Sequence, residues 1–201
     1  MQLKHPLILA SKSPRRKALL QEIGLEFEID PARNFKEKKT AEDITPTALV
    51  IHNAEGKALE IAQKHKNSYI LGVDTIGAYQ NHILNKPKDF EDAKRMLKIL
   101  SGTTHEVLSG LCFVLTGEKG QIVKKKTCAE RTSVTFAKMS EQEIESYINS
   151  GESMDKAAAF AIQGLGSLFI EKIDGDYFNV IGLPVFRLGR IFKEFGERLV
   201  G

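Results

Sequence analysis

The chain has 201 residues, 42% hydrophobic and 27% charged, which fits a single sizeable α/β domain and excludes a disordered or fibrous protein. Its net charge of +3 is compatible with an anionic ligand but too small for a nucleic-acid binder, whose basic residues would cluster on one face. No apolar run is long enough to cross a bilayer, and charged Lys12, Arg15 and Arg16 directly follow the short stretch 6–10, unlike a secretory signal; neither nucleic acid nor membrane is expected as a partner, and the location expected is cytoplasmic.

Leu7-Ile8-Leu9-Ala10 predicts a buried strand. Ser13 and Pro14 then announce a helix, with Ser13 at the N-cap and Pro14 at the first helical position, where its missing N–H costs nothing. Ala18, Leu19, Leu20 and Ile23 give that helix an apolar face, and Gly24 stops it. Residues 30–47 are polar and charge-rich, with Pro31 and Pro46 as punctuation, and predict a loop able to close over a site. A helix over 46–63 follows, with Leu49, Val50, Ala54, Ala58 and Ile61 on its inner side. Residues 69–73 predict a second buried strand, ending at Asp74 and Thr75, and Gln80-Asn81 a turn toward Ile83-Leu84 and Lys86-Pro87.

Asp89 caps a further helix, with Glu91 and Asp92 favourably placed in its first turn and Gly102 at its end. Residues 106–115 and 121–137 predict two long strands joined by a glycine-containing turn; Lys124, Lys125 and Lys126 read as a solvated strand edge. Ser140 and Glu143 form a capping box for a helix that stops at Gly151. Phe169-Ile170 and Tyr177-Phe178 predict additional strands around Asp174-Gly175-Asp176, and an amphipathic helix over 185–195 closes the chain. Strands and helices alternate throughout, which favours an α/β fold.

Strand, Ser11-Lys12-Ser13-Pro14-Arg15-Arg16, helix is a sensible cradle for an anion. The helix start offers unpaired N–H groups, Ser11 and Ser13 add hydroxyls, and Arg15 and Arg16 add planar forks suited to phosphate oxygens. The same residues are equally readable as a plain helix start with a solvated first turn. Two cations there oppose the helix dipole, a conflict that an arriving anion relieves. Asp74, beyond an apolar strand, is placed either to bind a divalent ion and activate water or to cap a turn. Lys57 and Lys86 are phosphate partners or surface lysines, and 157–166 is a small-residue stretch where backbone can approach a ligand.

Other phosphate and nucleophile signatures are absent: no Gly-x-x-x-x-Gly-Lys loop, no Gly-x-Gly-x-x-Gly, no Gly-x-Ser-x-Gly elbow, and no metal-ligand spacing among the five histidines. His105 reads as a structural or substrate-edge residue. Cys112 and Cys128 lack any paired spacing and read as small buried hydrophobes in a reducing compartment.

Taken in order and spacing, the chain resembles the Maf family of nucleotide pyrophosphatases. The match runs through Ser11-x-Ser13-Pro14-Arg15-Arg16, Lys57-Ala58, Gly72-x-Asp74-Thr75, Lys86-Pro87, Leu100-Ser101-Gly102, Met154-Asp155-Lys156-Ala157, Ile162-Gln163-Gly164 and the 175–184 segment. The resemblance implies one Maf-like domain over 1–201, with a long mixed central sheet flanked by helices and two lobes around a cleft, similar to the inosine triphosphate pyrophosphatases. It implies hydrolysis of a nucleoside triphosphate to the monophosphate and pyrophosphate with a divalent metal, magnesium or manganese. By position, Asp74 would accept the proton and contact the metal, and Arg16 and Lys86 would serve the reacting phosphates. Ser11, Ser13 and Lys57 would hold substrate, while Arg15, Thr75 and Gln163 resemble the specificity set of the dTTP/UTP branch. A homodimer is also implied. The family's usual acidic loop residue aligns with Phe35, with Glu37 nearby, and family glycines are replaced at Asn85, Ala158 and Ala161. A non-catalytic nucleotide-binding regulator of cell division is the alternative; the retained Asp74, Lys57 and Lys86 favour the enzyme.

Overall fold

The computed structural model describes residues 3–40 and 44–200, so positions 41–43 of the predicted loop lie outside the described residues. In chain order come strand β1 (Leu7–Leu9), helix α1 (Pro14–Glu22), β2 (Glu28–Ile29) and α2 (Pro46–Ala62), then β3 (Tyr69–Tyr79), β4 (His82–Leu84) and α3 (Phe90–Leu100). The long strands β5 (Thr104–Thr116) and β6 (Ile122–Phe136) lead to α4 (Glu141–Asn149), β7 (Ile170–Asp174), α5 (Tyr177–Ile181) and α6 (Val185–Glu194). One mixed sheet results, in the order β2-β1-β3-β5-β6-β7, with β4 paired to β3 off that path.

Side-chain alternation explains the unbroken apolar runs in β1 and β3. Leu7, Leu9, Tyr69, Leu71 and Val73 pack into one cluster with Leu19, Leu20, Leu188 and Phe192 of α1 and α6. Ile8, Ala10 and Ile70 face the other way, onto Ala54, Ala58 and Ile61 of α2. A separate cluster joins α3 and α4 to the far ends of β5 and β6 through Met96, Leu97, Val107, Phe136 and Ile148. Two lobes therefore share one sheet.

Glycines let α2 lie unusually close to that sheet. A Cβ at Gly72 would stand 2.1 Å from the Ala54 carbonyl oxygen, and one at Gly110 would stand 2.2 Å from that of Val50. This close approach brings polar residues of α2 within bonding distance of β3.

Three expectations need correction. The second buried strand does not end at Asp74: β3 continues to Tyr79 because β5 pairs with it from Tyr69 to Ala78. The opening instead lies where the strands on the other edge stop. There β1 pairs only with residues 69–71 and β4 only with 77–79, so the β3 edge between them is unpaired by strands. Second, Tyr177-Phe178 are helical, not a strand. Asp176 accepts from the N–H groups of Phe178 and Asn179, and this cap overrides the aromatic preference for strands. Third, Ser13 sits at the N-cap of α1, but its side chain makes no capping bond.

A candidate nucleotide site at the gap in the sheet

Asp74 and Thr75 lie where β3 pairs with β5 on one edge and with neither β1 nor β4 on the other, and as neighbours in a strand they point to opposite faces. Asp74 faces α2. Its Oδ1 accepts from Lys57 Nζ at 2.7 Å and its Oδ2 from Asn53 Nδ2 at 3.0 Å. Asp74, Lys57 and Asn53 are all buried. Lys57 also reaches Glu37 Oε1 at 2.9 Å, so one ammonium bridges two carboxylates.

Thr75 faces α1. Its Oγ1 accepts from Arg16 Nη2 at 3.0 Å and stands 2.8 Å from Ser109 Oγ. Arg16 is buried and donates further to Ser11 Oγ at 2.8 Å and to the Gly182 carbonyl at 2.9 Å. Burial lowers its pKa to about 10, a shift opposed by the nearby Asp74 charge and increased by Arg15. Ser11 Oγ also accepts from the Ser13 N–H at 3.3 Å, so its hydroxyl closes the turn before α1. Arg15 is turned toward the 153–156 segment, where Nη1 lies 3.3 Å from Asp155 Oδ2.

Of the residues singled out in the sequence, Ser11, Arg16, Lys57, Asp74 and Thr75 are thus brought together, with Ser13 and Arg15 at the margin. Lys86 and Gln163 are exposed, and no described contact joins either of them to that group. His105 is buried between Phe136 and Phe160, and burial lowers its pKa to about 4, so it is a structural residue.

Sequence reasoning missed three members. Asn53 occupies the buried stripe of α2 one turn before Lys57, a polar residue at an apolar position. Ser109 and Gly182 contribute from β5 and from the residue ending α5; Gly182 stood in the 175–184 motif without a role, and nothing local marked Ser109. The acid that reaches the site is Glu37. Phe35 packs instead over α2, where a Cβ at Gly56 would stand 2.1 Å from its ring.

Among the described residues, no three His, Cys, Asp or Glu side chains gather as a ready metal cage. A magnesium-type ion, however, commonly uses one or two carboxylates plus substrate phosphates. Asp74 and Glu37, already sharing the Lys57 ammonium, fit that kind of site. A hollow of about 1080 Å³ lies beside α6 against Ile23, Val185 and Gly189 and contains none of these groups.

The chain matches the family model described as Maf-like protein over residues 6–195. It is 41% identical over 197 residues, 98% of each chain, to the dTTP/UTP pyrophosphatase of Lachnoclostridium phytofermentans. It is 44% identical over 190 residues, 94% of each chain, to the dTTP/UTP pyrophosphatase of Koribacter versatilis. The fold is similar to that of the nucleoside-triphosphatase (dITP/XTP pyrophosphatase) of Mycobacterium abscessus, with a TM-score of 0.50 at 14% identity, covering 94% of this chain and 98% of that one. With a family match spanning nearly its whole length, the chain belongs to the Maf-like proteins.

Proposed function

We propose that this protein hydrolyses dTTP and UTP between the α- and β-phosphates, releasing the nucleoside monophosphate and pyrophosphate. The supporting observation is the buried Asp74 at the gap in the sheet, held by Lys57 and Asn53, with the Arg16–Ser11–Thr75 network on the opposite face at the same gap. Substrate choice rests on the near-full-length relatives named dTTP/UTP pyrophosphatase.

In this reading Asp74 accepts the proton of the attacking water. Lys57 and Arg16 hold the phosphates and offset the charge gathering on the leaving pyrophosphate. Ser11 and Ser13 add hydrogen bonds at the helix start, whose uncapped N–H groups favour an anion. Lys86, which is exposed, reaches the substrate rather than the protein, and Arg15, Thr75 and Gln163 select the base. Asp74, aided by Glu37, would hold a magnesium or manganese ion, which when bound would supply charge neutralisation at the phosphates and activation of water.

Two unpaired thiols, Cys112 and Cys128, support a reducing cytoplasmic setting. Among the described residues no helix is long and apolar enough to cross a membrane. The resemblance to Maf proteins supports a homodimer, which the mass in solution tests.

The reaction is tested by incubating the purified protein with each common nucleoside triphosphate and manganese, then quantifying monophosphate and pyrophosphate. dTTP and UTP are expected to turn over fastest, and Asp74→Asn to lose about a hundredfold or more in kcat. Release of single phosphates, or an Asp74→Asn variant as fast as the wild type, overturns the assignment.

A further inference from the structure

We infer that Asn53 is a positioning residue for the reaction, setting the Asp74 carboxylate and the Glu37-bearing segment in register with one another. The inference rests on the reading of Asp74 as proton acceptor.

Asn53 is only 2% exposed and lies in the buried stripe of α2, which is apolar apart from Asn53 and Lys57. A buried amide there is costly unless its polar atoms are met. Both ends of this one are. Oδ1 accepts from the Lys38 N–H at 2.9 Å, and Nδ2 donates to the Lys38 carbonyl at 2.9 Å and to Asp74 Oδ2 at 3.0 Å. The orientation of the amide follows from chemistry: a carboxylate only accepts, so the nitrogen must face Asp74.

Two consequences follow. First, Asp74 is gripped at both oxygens, Oδ1 by Lys57 and Oδ2 by Asn53, which fixes the carboxylate plane. Asn53 does this without adding charge. Second, Lys38 is the neighbour of Glu37, whose carboxylate reaches the same Lys57 ammonium. The segment before it is pinned by Glu60, which accepts from the N–H groups of Arg33, Asn34 and Phe35, and Asn85 donates to the Lys39 carbonyl beyond it. Among these anchors, Asn53 alone also touches Asp74 in the described contacts. One amide therefore ties the backbone beside Glu37 to the Asp74 carboxylate, while Lys57 bridges the two carboxylates themselves.

Two variants separate the two contacts. Asn53→Leu removes every bond. Asn53→Asp has the same shape and can still accept from the Lys38 N–H, but in its ionised form it donates neither to Asp74 nor to the Lys38 carbonyl and sets a second negative charge against Asp74. Each is compared with wild type in dTTP turnover with manganese, in melting temperature, and in hydrogen exchange of the Lys38 amide without nucleotide or metal. Both variants are expected to lose about tenfold or more in kcat, with KM within about threefold of wild type. The Lys38 amide should lose protection in Asn53→Leu and keep it in Asn53→Asp. If Asn53→Leu fails to fold, Asn53→Asp decides by itself. Lowered melting temperatures with kcat within about twofold of wild type would make Asn53 merely structural and overturn the inference. So would an Asn53→Asp variant with full kcat. A wild-type protein that releases no pyrophosphate overturns the reaction itself; an active wild type beside equally active variants overturns the role of Asn53 alone.

Discussion

Arg16 donates from Nη2 to Thr75 Oγ1 at 3.0 Å, tying the first turn of α1 to the residue next to Asp74. Through Nη1 and Nε the same guanidinium holds Ser11 and Gly182, so three distant parts of the chain meet on one planar fork. Arg16→Lys keeps the charge but loses that geometry. It should reduce kcat/KM for dTTP by about tenfold to a hundredfold, as measured by initial rates over a range of substrate concentrations. Arg15→Ala, which breaks only a partly exposed contact to Asp155, should change stability by less than about 1 kcal/mol in urea unfolding.

Lys57 lies between two carboxylates, and removing it leaves the buried Asp74 without its directly paired cation. Lys57→Met should therefore destabilise the fold by about 3 kcal/mol. Pairing it with Asp74→Asn should recover part of that loss, because the second change removes the orphaned charge. Urea midpoints of the two single variants and the double variant measure the coupling. Strict additivity would mean that the pair contributes nothing to stability.

His105 is buried with neither ring nitrogen bonded among the described residues, and desolvation lowers its pKa from 6.5 to about 4. The unfolded chain takes up a proton at this residue below about pH 6.5, whereas the folded chain does so only near pH 4. Stability is consequently whole above 6.5 and is lost as pH falls through that window. The difference between the two values corresponds to about 3 kcal/mol. His105→Phe, which keeps a ring between Phe136 and Phe160, should flatten this part of the stability–pH curve. Chemical unfolding at several pH values, compared with wild type, provides the check.

Gly72 allows α2 to lie against β3, and an added methyl group would meet the Ala54 carbonyl at 2.1 Å and Ala58 Cβ at 2.8 Å. Gly72→Ala should cost about 3 kcal/mol through overpacking. Because the displaced helix carries both Asn53 and Lys57, kcat should fall along with the melting temperature. A stable variant with reduced kcat would place the effect in site geometry; unchanged values of both would show that α2 adjusts without strain.

Elements set by neighbouring residues were legible in the sequence. Ser13-Pro14 started α1, the Ser140–Glu143 box started α4, and Asp89 capped α3, each through bonds or sterics within a single turn. The apolar runs of β1 and β3 were equally plain, since both faces of those strands are covered. The two-residue β2 was not, because so short a strand depends on pairing with β1 rather than on its own composition. Tyr177-Phe178 misled for a related reason, as strand propensity yielded to the Asp176 cap.

The opening motif, from Ser11 to Arg16, shows where sequence stops and tertiary structure begins. Its residue types determined a helix start rich in hydroxyls and guanidinium groups. What those groups face was decided elsewhere in the chain: Thr75 lies 59 residues from Arg16, and Gly182 lies 166 residues away. Likewise, Lys57 and Asp74 are separate candidates in the sequence and one ion pair in the fold. Asn53 carried only a faint signal, a polar residue in an apolar stripe, until close packing of α2 over Gly72 gave it Asp74 as a partner. Local sterics and hydrogen bonds fixed each element from within, whereas the site exists only because strand pairing leaves a gap in the sheet and glycines let a helix approach it.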